Sequence, residues 1–181
     1  MEGGAKRWHL PPPVEDRGLP RDLPPPMAKV LLTRGIDTAE KLRLFLEPPQ
    51  RLPYDPLRLA GMDRAVQRLH RAINRAERVG VFGDFDVDGV TGSAIVAEGL
   101  EPLGVPVVPY LPHRTEEGHG LSTPAVDHLV AQGVSLIITV DCGVTACDEV
   151  AYANRLGIDV IITDHHLPQS GLPDATAIID P

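Results

Sequence analysis

Four aspartates and two histidines stand at the ends of three short apolar runs. Asp84, Asp86 and Asp88 fall in Gly-Asp-Phe-Asp-Val-Asp-Gly at 83–89, Asp141 in Thr-Val-Asp-Cys-Gly at 139–143, and His165 and His166 follow Asp164 in Thr-Asp-His-His at 163–166. Carboxylates gathered within a few ångströms repel one another and raise each other's pKa unless a cation lies between them. The pattern therefore predicts a divalent metal site. Imidazole beside carboxylate suits Mn²⁺ or a related transition ion better than it suits Mg²⁺ alone.

Each motif also has a plainer reading. Asp84, Asp86, Asp88 and Gly89 match the opening of a helix–loop–helix calcium loop, but that loop requires a bidentate Glu at its twelfth position, which is Ile95 here. The residues before it read as a strand rather than a helix, which removes the calcium reading. Asp141 taken alone is more often a helix N-cap. Two adjacent histidines at a strand end are seldom a packing solution, and Asp164, His165 and His166 shift the balance toward metal. The loop from His113 to Gly120 offers Arg114, and as a weaker candidate His119, to a phosphate; for Arg114 a plain surface loop is the equally weighted alternative. Cys142 and Cys147 are the only cysteines, and their spacing suggests neither a disulfide framework nor a zinc ribbon.

These residues need elements to hold them. After Arg78 the grammar is strand, loop, helix, repeated: strands at 79–82, 105–111, 135–140, 159–163 and 175–179, with helices near 91–103, 122–132 and 145–156. Near-continuous Val and Ile runs alternating with helices predict an α/β fold, a doubly wound and mostly parallel sheet buried on both faces. In such folds ligands bind beyond the carboxyl ends of the strands, where strand order reverses. The acidic cluster occupies those ends.

Ahead of the sheet, residues 1–61 form a small Pro-rich and helical region, and 62–181 form the main domain. Leu-Pro-Pro-Pro at 10–13 and again at 23–26 predicts an extended lead-in over 1–27, anchored by Trp8. Asp37 and Glu40 resemble a capping box opening a short helix that stops before Pro48 and Pro49, and a Pro-rich connector runs to about Leu59. Residues 62–78 predict a helix with an inward stripe of Met62, Val66, Leu69, Ile73 and Ala76. Arg64, Arg68, Arg71, Arg75 and Arg78 lie on the opposite, outward face. An outward arginine row is usually a solvated face; its alternative is a track for a nucleic-acid backbone.

Charge is divided unevenly. Residues 1–78 hold 15 Lys and Arg against 10 Asp and Glu, whereas 79–181 hold 2 against 15. The acidic half cannot attract a polyanion unaided, so a phosphate substrate there requires bound metal and the basic half beside it. The apolar runs are too short to span a bilayer and no signal-like start is present, which predicts a cytoplasmic protein.

In order and spacing, the segments at 83–92, 112–120, 139–143 and 163–168 resemble the DHH phosphoesterase superfamily, named for the triplet seen here as Asp164, His165 and His166. Within it the likeness is to single-strand-specific 5′-to-3′ DNA exonucleases of recombination and repair. It includes Thr-Arg-Gly-Ile at 33–36 and Phe-Leu-Glu-Pro at 45–48, and so spans nearly the whole chain. The resemblance implies a centre of two Mn²⁺ or Mg²⁺ ions held by Asp84, Asp86, Asp88, Asp141 and His165, with Asp141 bridging. His166 and Asp164 would be catalytic, with His166 facing the phosphate, and Arg114 and His119 would contact it. Many members place a His where this chain has Phe82, which implies that Asp84 substitutes as a ligand. It also implies that a last metal-binding aspartate and a substrate-binding domain lie beyond Pro181, so that the 181 residues alone bind at most one metal well and have little nuclease activity. Two cations about 3.5–4 Å apart would activate water and stabilise the leaving oxygen, with no side-chain nucleophile. The implied partners are single-stranded DNA, a single-strand-binding protein and a helicase. The rivals are a relative acting on short oligonucleotides or cyclic dinucleotides, and a non-catalytic binding subunit like the superfamily member in the eukaryotic replicative helicase.

Overall fold

The computed structural model describes Pro12 and residues 18–20, 22–47, 55–169 and 171–181. Two compact units divide the chain, Met1–Tyr54 and Asp55–Pro181. Trp8, Pro48, Pro49, most of the first proline run and the connector up to Tyr54 lie outside the described residues.

The first unit holds helices α1 (Pro25–Thr33) and α2 (Ala39–Leu46), with Leu19, Leu31 and Leu42 buried together. Two expectations are corrected here. The second proline run does not keep the chain extended, because Pro25 and Pro26 begin α1. Proline is tolerated in a first helical turn, where no intrahelical partner awaits its missing N–H. The cap of α2 is Thr38, not Asp37: its hydroxyl accepts the Lys41 N–H at 3.2 Å, while Asp37 pairs with the Lys41 ammonium at 2.6 Å.

The second unit is a five-stranded, wholly parallel sheet in the order β2-β1-β3-β4-β5, made of β1 (Arg78–Gly83), β2 (Val107–Tyr110), β3 (Val134–Val140), β4 (Asp159–Thr163) and β5 (Ala177–Ile179). Helices α3 (Met62–Asn74), α4 (Val87–Leu100), α5 (Thr123–Ala131) and α6 (Cys147–Arg155) cover it. Strand side chains alternate between the faces, as a period of two requires. Val79, Val81, Leu136, Ile138, Val140 and Ile161 pack in a layer with Ala65, Ala72 and Leu100 of α3 and α4. Phe82, Ile137, Val160 and Ile162 pack with Val126, Leu129, Val150 and Ala153 of α5 and α6. Burying each such Val, Leu, Ile or Phe contributes about 1.5–3 kcal/mol. This is the predicted doubly wound α/β architecture. No helix among the described residues is long and apolar enough to cross a membrane.

The α3 stripe agrees with its prediction at Leu69 and Ile73, which pack against the first of these layers, and differs in what is fully buried. Ala65, Arg68 and Ala72 are its buried residues, and Arg68 is 4% exposed, bonded to Glu77 at 2.6 Å and to Asp159. Small alanines let α3 lie close to the sheet, and the long Arg68 stem runs along that contact to acids at the start of β1 and of β4. The helix ends at Asn74 rather than at 78, and Ala76 takes a left-handed φ of 50° before β1.

Strand order reverses between β1 and β3: β2 lies on one side of β1, and β3, β4 and β5 follow on the other. A cleft opens at the carboxyl ends of strands at such a reversal.

Candidate metal centre

Three acidic residues follow directly on three strands, and one backbone device holds them. The N–H of Asp84 donates to Val140 O at 3.3 Å, that of Asp141 to Thr163 O at 2.9 Å, and that of Asp164 to Ile179 O at 3.0 Å. Each tip is thereby bonded to the end of the next strand, so the side chains start from fixed points. All three are buried, at 6%, 9% and 7% exposure.

At the β1 tip, close packing requires glycine. A Cβ on Gly83 would lie 2.0 Å from Ser93 Oγ, and one on Gly89 would lie 2.3 Å from Asp84 O. Without those atoms α4 begins directly over the tip, at Val87 rather than near 91. Asp86 caps it by accepting the Gly89 N–H at 3.0 Å. That N–H holds the Asp86 carboxyl below its ordinary range. Asp84 accepts the Phe85 N–H at 2.7 Å with one oxygen and lies 2.9 Å from His119 Nδ1 with the other. Asp88 is exposed on the first turn of α4.

At the β3 tip, Asp141 adopts φ 61°, a left-handed conformation that few side chains other than Asp and Asn tolerate. The turn is fastened from below: Thr139 Oγ1 donates to Cys142 O at 2.7 Å, and Thr163 Oγ1 donates to Thr139 O at 2.6 Å. Burial raises the Asp141 pKa and the neighbouring Asp86 carboxylate raises it further, with His165 opposing both. His165 Nε2 lies 2.9 Å from Asp141 Oδ1.

Asp164 is differently engaged. It accepts N–H bonds from Val144 at 2.9 Å, His165 at 2.7 Å and His166 at 3.1 Å, and His166 Nδ1 lies 2.7 Å from the same carboxylate. Burial alone would raise its pKa; these donors outweigh burial and hold it below the ordinary range. Asp164 in turn raises the pKa of His166.

Donor atoms of Asp141, His165 and His166 lie within 4.8 Å of one another. Asp141 and His166 line a cleft of about 570 Å³ together with Asp84, His119, Thr145 and Glu149. The set fits a divalent cation. Asp86 and Asp141 are neighbouring carboxylates, the first raising the pKa of the second, and the open donors combine carboxylate oxygen with imidazole nitrogen, the mixture suited to Mn²⁺.

Of the sequence-derived candidates, the structure gathers Asp84, Asp86, Asp141, Asp164, His165, His166 and His119 at one edge. Asp88 and Arg114 stand at the margin. The Arg114 guanidinium carbon lies 5.4 Å from the Phe85 ring centroid, and His119 packs on the same ring at 4.2 Å. Sequence reasoning missed Thr139, which reads only as a strand residue. It also missed Glu117, which ties the His113–Gly120 loop to the sheet by accepting from Tyr110 Oη at 2.6 Å and from the His113 N–H at 2.7 Å. An acid inside a loop that carries candidate phosphate ligands was the available signal for Glu117.

Comparison with known proteins gives concordant findings. The family model described as "DHH family, N-terminal domain" matches residues 78–181. The chain is similar to the single-stranded-DNA-specific exonuclease RecJ of Bacillus subtilis (strain 168), 42% identical over all of this chain and 24% of that protein. It is 44% identical to RecJ of Salmonella typhimurium, over 92% of this chain and 28% of that one. The chain thus spans about a quarter of the length of these relatives. Among solved structures, exonuclease RecJ bound to manganese matches with a TM-score of 0.65 at 40% identity, over 71% of this chain and 33% of that one. RecJ of Thermus thermophilus in complex with Mn²⁺ matches with a TM-score of 0.62 at 32% identity, over 83% of this chain and 20% of that one.

Proposed function

Since the chain belongs to the DHH family, we propose that it supplies the metal-binding part of a phosphodiester-hydrolysing site, and that the protein is a 5′-to-3′ exonuclease on single-stranded DNA in recombination and repair. The observation that carries this reading is the juxtaposition of Asp86, Asp141 and His165 at the strand-order reversal, beside a carboxylate pair that calls for a cation. The relatives' names support the substrate.

In this proposal Asp86, Asp141 and His165 hold the first Mn²⁺ or Mg²⁺, with Asp84 beside them and Asp88 at the rim. Bound divalent metal supplies an activated water and neutralises the phosphate oxygens. The chain's own groups do the remaining work. Asp141 is held in place by its left-handed turn and by Thr139, so its carboxylate needs no reorganisation when a ligand arrives. Asp164, saturated by backbone donors, acts through His166: it fixes Nδ1, favours the imidazolium form and leaves Nε2 for a substrate phosphate. His119 and Arg114 approach from the opposite side on the loop that Glu117 ties down. The protein would work in the cytoplasm, with a single-strand-binding protein and a helicase supplying its DNA.

The test is digestion of single strands labelled at the 5′ or the 3′ end, with Mn²⁺, by the polypeptide at the length of its relatives. Release of 5′-terminal mononucleotides, lost in Asp141→Ala, is expected. Cleavage of cyclic dinucleotides but not of oligonucleotides, or no hydrolysis at all, would contradict the proposal.

A further inference from the structure

Helix α3 carries a cationic stripe that the metal centre does not use. At roughly 100° per residue, Arg64, Arg71 and Arg75 fall within about 40° of one another on a flank of α3 beside its buried face, and all three are exposed. Gln67 and Asn74 lie beside them, also exposed or partly so. Arg68 leaves the row for the interior, where it engages Glu77 and Asp159. Arg64 and Arg71 form no ion pair among the described residues, and Arg75 reaches Glu77 only at 4.0 Å.

This arrangement opposes helix stability. Arg64 and Arg68, and Arg71 and Arg75, are like charges at i,i+4, a spacing that destabilises a helix. A face needed only for solubility would interleave acids; here Asp63 is the single acid of the helix and lies off the stripe. The cations are arginines without exception, the side chain that binds phosphate by a planar two-pronged contact. The stripe is about 16 Å long, enough for on the order of three phosphates of an extended strand.

Its placement agrees with such a use. A Cβ on Gly61, just before α3, would lie 2.2 Å from Ile178 O, and Ile179 pairs with Thr163 at the carboxyl end of β4. Arg68 instead meets Asp159, the first residue of β4. Helix α3 therefore runs from the sheet edge that bears the metal centre toward the opposite edge, and the stripe begins at the catalytic end.

We propose that Arg64, Arg71 and Arg75 form a sequence-independent track for the phosphate backbone of single-stranded DNA, outside the metal cleft. The choice of DNA as the polyanion rests on the function proposed above; the cationic track rests on α3 alone.

The experiment is fluorescence anisotropy of labelled oligothymidylate with the whole chain in EDTA, across a salt series. Each arginine–phosphate contact adds about 0.7 to the slope of log K against log salt, so three give a slope near −2 and a loss of roughly 16-fold in affinity between 50 and 200 mM salt. R64A/R71A/R75A, with a circular dichroism spectrum matching the parent, is expected to lose nearly all of that slope, and R71A alone about a third of it. Equal slopes in parent and triple variant, absence of binding by the parent, or binding of polyglutamate in place of oligothymidylate would each overturn the proposal. An arginine-dependent slope together with failed Mn²⁺ binding would leave the track standing and remove the nuclease reading.

Discussion

Arg68→Met tests whether α3 docks as described. Arg68 is 4% exposed, Glu77 15% and Asp159 43%, so the two acids do not count equally. The bond to Asp159 is open to water and, like other exposed pairs, contributes about 0–1 kcal/mol. Glu77 is nearly enclosed, and in the variant it would keep Ser135 Oγ at 3.0 Å as a donor, so the full cost of orphaning a buried charge, about 3–5 kcal/mol, is reduced. Methionine preserves the apolar stem, which leaves little cavity cost. The expected destabilisation is about 2–4 kcal/mol, or a fall of about 10 °C in Tm. R68M/E77Q should recover part of it, because the unpaired charge is then gone. The pH dependence has a definite sign. Burial would raise the Glu77 pKa, but Arg68 and Ser135 outweigh burial and lower it. Its stabilisation is therefore present above the unfolded value of about 4.3 and is lost as pH falls through the lower folded value. Without Arg68 that loss should begin at higher pH. Urea melts across pH measure both effects. A change below about 0.5 kcal/mol, typical of exposed surface substitutions, would refute the buried docking and return Arg68 to solvent.

Thr139→Val keeps the shape of the strand but removes the hydroxyl that serves Cys142 O; a loss of about 1–3 kcal/mol is expected from the unsatisfied buried carbonyl, read by thermal melting. Glu117→Gln should bring the Tyr110 phenol down from about 12 toward its ordinary value of about 10, because the Glu117 carboxylate is what chiefly raises it; ultraviolet titration reads the shift directly. Gly89→Ala places a Cβ 2.3 Å from Asp84 O, so it should cost more than about 2 kcal/mol and weaken Mn²⁺ binding, measured by melting and titration of the same preparation.

The sheet was legible because its code is simple. Runs such as Leu136–Val140 are apolar on both faces, and only a strand covered on both sides accommodates that. The tip acids were legible because a polar residue closing such a run has to lie at its end. What escaped involves choices among near-equivalent neighbours. Thr38 and Asp37 are both good caps, and only the chain path selects Thr38. Ala65 and Ala72 score weakly as apolar, so a stripe chosen by hydrophobicity found Leu69 and Ile73 but passed over the two alanines and turned Arg68 outward. Its burial depends on Glu77 and Asp159, one of them distant in sequence. At the site, residue type and position after a strand do not separate Asp164 from Asp141; only the resemblance assigned them different roles. Only the three backbone donors on Asp164 distinguish a carboxylate that positions its neighbour from one left open to a ligand.

Calorimetric titration of Mn²⁺ into the chain and into Asp141→Ala tests the central claim most directly. The account predicts saturable binding by the parent and loss of that binding in the variant with the fold intact. Equal binding by both proteins, or none by the parent, would contradict it.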